Sequence, residues 1–242
     1  MKKIKTVPAE KIIEQYGLLR ELVKKYSENE TQLKNIEKLL DDFEERITSA
    51  PASGRLNYHN CFIGGFLDHV LRVQGTAFKV KKLLQSMNIN ITCTDSEIFL
   101  AAVFHDWGKL GTLSEPYYIK QDSSWHQEKL GEYWKHNTEM DYMSVTDRAL
   151  YTLQSYNINV SDRVWKAIKL SDGMFDDGNI SYLKRPSESD NILHYIIHWA
   201  DWMSTVVEKQ HYVQGHEEPT VDKEKDEQLK NLKEQFNDLF PS

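Results

Sequence analysis

"IFLAAVFHDWGKL", residues Ile98–Leu110, is the most apolar run in the chain. Its first seven residues are apolar on every side, which predicts a helix buried all round within a mainly helical fold. The run then sets His105 and Asp106 side by side just before Gly108. A carboxylate there is doubly awkward, because the C-terminal end of a helix carries the negative end of the macrodipole and a buried charge needs a partner. The stretch therefore predicts a positive group opposite Asp106.

Upstream, "TDSE" (Thr94 to Glu97) has the S/T-x-x-E spacing of a capping box and starts this helix, which is expected to end at Gly108. Before it, "CFIGGFLDHVLRVQGTAFKVKKLL" puts Phe62, Phe66, His69, Val73 and Val80 on one helical face. The loop "SAPASGRLNYHN" delivers the chain to that helix, and two amphipathic helices, about Ala9 to Lys25 and about Glu30 to Thr48, precede the loop. Downstream, the aromatic-rich "EPYYIKQDSSWHQEKLGEYWKHN" reads as a small β-hairpin. Helices resume at "SVTDRALYTLQSY", with Ser144 and Asp147 as a capping pair, and at "SDRVWKAIKL". "SDGMFDDGN" reads as a turn-rich loop, and "DNILHYIIHWADWMSTVVEKQ" as a long helix capped by Asp190. The expected organisation is an N-terminal helical extension over 1–50 packed on the core, a central domain over 51–212, and a charged C-terminal helix or tail over 213–242.

The 242 residues suffice for one sizeable core. No stretch approaches the roughly 20 apolar residues that span a bilayer, and the start, "MKKIKTVPAEKIIEQYG", lacks the apolar centre and cleavage site of a secretory signal. A cytoplasmic location with no membrane partner is the expectation. Cys61 and Cys93 form no C-x-x-C pair, so neither a disulfide framework nor a thiolate zinc site is indicated. The net charge of -7, with lysines interleaved among acids, weighs against double-stranded DNA as a partner.

Four residues stand out as metal ligands: His69, His105, Asp106 and Asp201. Two imidazoles and two carboxylates suit a divalent ion such as Mn, Fe, Co, Ni or Zn, and the carboxylates also accept Mg. From the residues alone, His69 on an apolar face reads more readily as a core histidine than as a ligand. Asp201, on a stripe with His194, His198 and Thr205, reads equally as part of a solvent face. Only His105 and Asp106, at the end of a buried run, resist a bland reading.

The elements "GGFLDHVLRV", "AAVFHDWGKL" and "HWADWM" together resemble the HD domain superfamily of metal-dependent phosphohydrolases, whose signature is H...HD...D. The likeness runs from about Tyr58 to Thr205, and "YHNCFIGGFLDHVL" is similar to the exonuclease-like and relaxase-associated branch. The run from "KLGEYWKHN" to "AIKLSDGMFDDGN" further resembles uncharacterised HD proteins of tailed phages. The resemblance implies an HD-type helical bundle with a small hairpin insertion and makes His69, His105, Asp106 and Asp201 the ligands of one divalent metal. It implies that Lys109 faces substrate phosphate or a nearby acid, and that His59 touches substrate.

Two-metal members carry two further histidines between the HD pair and the last aspartate. Here Ser171 stands where related sequences have one, leaving Asp172 alone, and His126 and His136 are the other intervening candidates. A single metal is therefore expected. His198 is placed to orient Asp201 or to meet substrate, His194 to lie at the cavity rim or on the surface, and Trp107, Trp125 and Trp199 are candidates for the core or for stacking on a base.

The expected function is metal-dependent hydrolysis of a nucleotide or related phosphoester by metal-activated water, with Asp106, Lys109, His59 and Asp172 as the catalytic group. The acidic chain favours a small phosphorylated substrate over a long strand. The alternatives are an inactive HD domain kept as a nucleotide-binding or protein-interaction module, a 3'-5' exonuclease-like HD nuclease, and an interaction protein working through its charged terminal helices. The residues leave the oligomeric state open.

Overall fold

The apolar run forms helix α4, Asp95–Phe104, in which every residue from Glu97 to Phe104 is buried. The capping box closes as its spacing requires: Thr94 Oγ1 accepts from the Glu97 amide at 3.1 Å, and a Glu97 carboxylate oxygen accepts from the Thr94 amide at 3.0 Å. The computed structural model describes residues 7–183 and 192–214.

α4 is the axis around which the other helices assemble. It packs against α3 (Gly65–Ser86), α6 (Asp162–Lys169), α8 (Leu193–Gln214) and α1 (Ala9–Tyr26). α1 pairs with α2 (Glu30–Ser49), and their buried residues, among them Leu19, Val23, Ile36, Leu40 and Phe43, belong to the same apolar cluster as those of α3, α4 and α8. α5 (Val145–Ser155) starts at Ser144, whose hydroxyl accepts from the Asp147 amide at 3.1 Å, and packs between α6 and the turn that follows α4. The molecule is thus mainly helical, a bundle with a small antiparallel hairpin. Among the described residues no helix is long and apolar enough to cross a membrane.

The hairpin pairs β1 (Tyr118–Lys120) with β2 (Trp134–His136), Tyr118 opposite His136. A π-helical turn, His126–Leu130, lies between the strands. The hairpin is tied to the loop before α3 by the ion pair of Arg55 with Glu132 at 3.1 Å and by the Leu56 amide donating to the Gly131 carbonyl at 2.8 Å.

One local expectation is corrected. The α4 helix does not run to Gly108 but ends at Phe104, and a 3-10 turn, Trp107–Leu110, takes over after Asp106. The tightening brings the backbone at Gly108 against the start of α5, where a Cβ would lie 2.0 Å from the Val145 carbonyl oxygen, so only glycine fits. Arg46 of α2 secures the exit by donating to the carbonyls of Leu110, Thr112, Leu113 and Glu115. The stretch "SDGMFDDGN" is built of turns, as its composition predicts. It holds 3-10 turns at Gly173–Phe175 and Asp177–Asn179 and leads into α7 (Ile180–Leu183), because Asp176 Oδ1 accepts from the Gly178 amide and Asn179 Nδ2 donates to the Gly173 carbonyl. The expected Asp190 cap and the charged segment after Glu217 lie outside the described residues.

Candidate metal centre

The break after α4 aims two adjacent side chains at one point. His105 caps the C-terminal end of α4, and its Nδ1–H donates to the Ala102 carbonyl at 2.8 Å, which leaves Nε2 facing away from the helix. Asp106 follows with its side chain 8% exposed.

Opposite them, α3 and α8 lie side by side. His69 sits on the inner face of α3 with its ring wholly buried, and Asp201 projects from α8. His69 Nε2 is 3.2 Å from Asp201 Oδ1 and 3.5 Å from Asp106 Oδ2. His105 Nε2 is 3.7 Å from Asp106 Oδ2 and 3.9 Å from Asp201 Oδ1. The four residues read as ligands from the sequence are therefore in one place, contributed by three helical segments.

Lys109 supplies the positive group expected opposite Asp106. Its Nζ donates to Asp106 Oδ2 at 2.6 Å, one turn along the 3-10 segment. Burial works against ionisation of both partners. Lys109, His105 and His69 nevertheless hold the Asp106 carboxyl below its usual range, and Asp106 and Tyr118 hold the Lys109 ammonium above its own. Asp201 is likewise lowered despite burial, by His69 and then His105. For His69, burial favours the neutral ring, but Glu208 and Asp201 override it and push the ring up to about 10.

Glu208 is the residue that motif reading missed. It is buried on α8, and its carboxylate accepts from His69 Nδ1–H at 3.0 Å, while Arg72 Nε lies 3.3 Å from its other oxygen. A carboxylate behind a ligand histidine fixes the tautomer that offers Nε2 to a metal. The available signal was its position two helical turns after Asp201, on the same face of α8.

The remaining candidates separate. His59 lies against His69, ring centroids 4.6 Å apart, and burial, His69 and Lys109 together keep it well below its ordinary value. Asp172 sits at the exposed mouth of the cluster, its carboxyl raised by the desolvating surroundings and then by the negative Asp106. Ser171 turns inward and donates to the Ile168 carbonyl at 2.9 Å. His198 donates from Nδ1 to the Ser171 carbonyl at 2.7 Å, so it ties α8 to the turn after α6 instead of orienting Asp201. Gly173 makes that packing possible: its φ is +57° and a Cβ would meet His198 Cε1 at 2.4 Å. His194 packs against Tyr195 with the rings tilted. His126 bonds to Ser123 and His136 packs against Tyr117 and Tyr118 with tilted rings, and neither joins the His/Asp groups able to hold a metal among the described residues. Trp107 is core, wholly buried, while Trp125 and Trp199 are exposed.

Two overlapping groups have donor atoms that all lie within 4.8 Å of one another: His69 with His105 and Asp201, and His59 with His69 and Asp106. The Nε2 atoms of His59, His69 and His105 are all buried without a hydrogen-bond partner. Nitrogen atoms left this way between carboxylates fit a divalent transition metal. Comparison with protein-family models, curated proteins and solved structures finds no match.

Proposed function

We propose that this chain is a metal-dependent phosphohydrolase of the HD type, acting on a nucleotide or related small phosphoester. The observation that carries the reading is the convergence of the unpartnered Nε2 atoms of His69 and His105 on Asp106 and Asp201. A divalent ion held by these four residues supplies an acidified water and Lewis-acid polarisation of a phosphoryl oxygen.

The chain's own residues do the rest. Lys109, its ammonium fixed by Asp106 at 2.6 Å, is set beside the cluster to offset charge gathering on a phosphoryl group. Asp172, at the exposed mouth with its carboxyl raised by its desolvating surroundings and by Asp106, is the group set to pass a proton to the departing oxygen. Glu208 keeps the His69 ring in place through Nδ1–H. The net charge of -7 favours a small substrate, because the repulsion of a long polyanion rises with every phosphate it brings.

The test is a screen of purified protein with Mn, Co, Ni and Mg against nucleoside phosphates, cyclic nucleotides and short single strands. The expected result is turnover of a small phosphoester that a chelator abolishes and added metal restores. Turnover indifferent to the chelator, or metal-loaded protein inert toward all of these substrates, overturns the reading.

A further inference from the structure

We propose that His59 is itself a metal ligand, completing a donor set of three histidines and two aspartates, and that the ion is a transition metal and not magnesium. The inference rests on the reading of the cluster as a metal site, and it moves His59 from the substrate to the ion.

Three observations carry it. His59 Nε2 is buried with no hydrogen-bond partner, in the same condition as Nε2 of His69 and His105. Leaving such an atom unsatisfied costs about 1–3 kcal/mol, and a single cation relieves all three. His59 also offers a donor atom within 4.8 Å of those of His69 and Asp106, and this trio shares His69 with the trio of His69, His105 and Asp201. An ion seated against His69 thus has the donors of both trios beside it.

The third observation is that the loop carrying His59 is pinned as a ligand-bearing loop must be. The His59 carbonyl accepts from Ser53 Oγ at 2.5 Å, and the next residue, Asn60, donates from Nδ2 to Asp68 Oδ2 at 2.9 Å. Asp68 is held in turn by Gln15 Nε2 at 2.8 Å.

The chemistry of the ion follows from the donors. Magnesium takes hard oxygen ligands and keeps several waters, so a site with three imidazoles is a poor host for it. Imidazole suits Fe, Ni and Zn.

The experiment uses full-length protein, cobalt and zinc. Cobalt affinity and the visible absorption of the cobalt-loaded protein are compared between wild type and His59→Ala and His59→Gln, and zinc-loaded wild type labelled with 15N-histidine is examined by NMR. We expect His59→Ala to weaken cobalt binding more than about tenfold and to alter the cobalt bands, with three ring nitrogens shifted by zinc in the wild type. Unchanged affinity and spectrum in the variants, or only two shifted ring nitrogens, overturns the ligand assignment while leaving the metal site standing. The NMR arm does not depend on the variants folding. Wild-type protein that takes up neither ion overturns both this inference and the function proposed above.

Discussion

The Nδ1–H of His69 on α3 donates to the Glu208 carboxylate on α8 at 3.0 Å, across an interface that excludes both side chains from solvent. The same contact orients the ring that faces Asp106 and Asp201 and locks two helices in register. Arg72, one turn along α3 from His69, keeps the far oxygen of Glu208 occupied at 3.3 Å.

Glu208→Gln and Glu208→Ala separate these duties. The glutamine keeps an oxygen for Nδ1–H but loses the charge, so metal affinity should fall about tenfold, and the alanine, which releases the ring, should approach a hundredfold. Competition for zinc against a chromophoric chelator measures both. Equal affinity in all three proteins would show that His69 needs no support from α8.

His69 sets a pH dependence whose sign follows from its environment. Burial opposes its charge, yet Glu208 and Asp201 push it up to about 10, above the ordinary 6.5. A group raised on folding stabilises the fold fully below its unfolded value and loses that contribution as pH climbs through the folded one. Metal-free protein should therefore lose stability between about pH 6.5 and pH 10, read as a falling urea midpoint, and Asp201→Asn should flatten the slope. Because an ion displaces the Nε2 proton, metal uptake at pH 8 should release about one proton, measured by calorimetry in buffers of differing ionisation enthalpy. Uptake without proton release would mean that His69 is neutral before the ion arrives.

How much of this was legible differs between fold and site. α4 was readable because an apolar run with a capping box depends on neighbours in sequence, and the same holds for α1, α2 and the hairpin. The end of α4 was not, because the switch to a 3-10 turn is imposed by contact of Gly108 with Val145, which only the folded chain brings together. The meeting of His69 with Asp201 is a product of α3 lying on α8, and spacing along either helix is silent about the other. Periodicity left Asp201 as much a solvent-face residue as a ligand. Resemblance to H...HD...D supplied the grouping, and no motif covers Glu208.

Asp106→Ala tests the buried ion pair. Removing the carboxylate leaves Lys109, with its side chain 17% exposed, facing no counter-ion at 2.6 Å. Breaking a buried pair from one side costs about 3–5 kcal/mol, and chemical denaturation with chelator present should show a loss of that order. Lys109→Met in the same chain should restore part of it. A loss of under about 1 kcal/mol in the single variant would place the pair among weak surface contacts.

Gly173→Ala tests the turn that receives His198. The residue has φ of +57°, and the added methyl would stand 2.4 Å from His198 Cε1. Left-handed backbone and the clash should together lower stability by about 1–3 kcal/mol, with His198 displaced from the Ser171 carbonyl. A thermal midpoint matching wild type would mean that the turn shifts freely and does not fix this end of α8.

Asp172→Asn tests proton delivery apart from metal binding. The side chain lies at the mouth of the cluster, and its surroundings, with negative Asp106 behind it, raise the carboxyl so that it keeps its proton to higher pH than an ordinary aspartate. A proton donor works only while protonated, so activity should decline as pH rises through that group, and the raised value moves the decline upward. The asparagine variant should retain wild-type metal content, lose about 10²- to 10⁴-fold in kcat, and lack that limb of the pH profile. Because the carboxylates that face His69 and His105 are untouched, a fall in metal content instead would make Asp172 a ligand and remove it from the proton path.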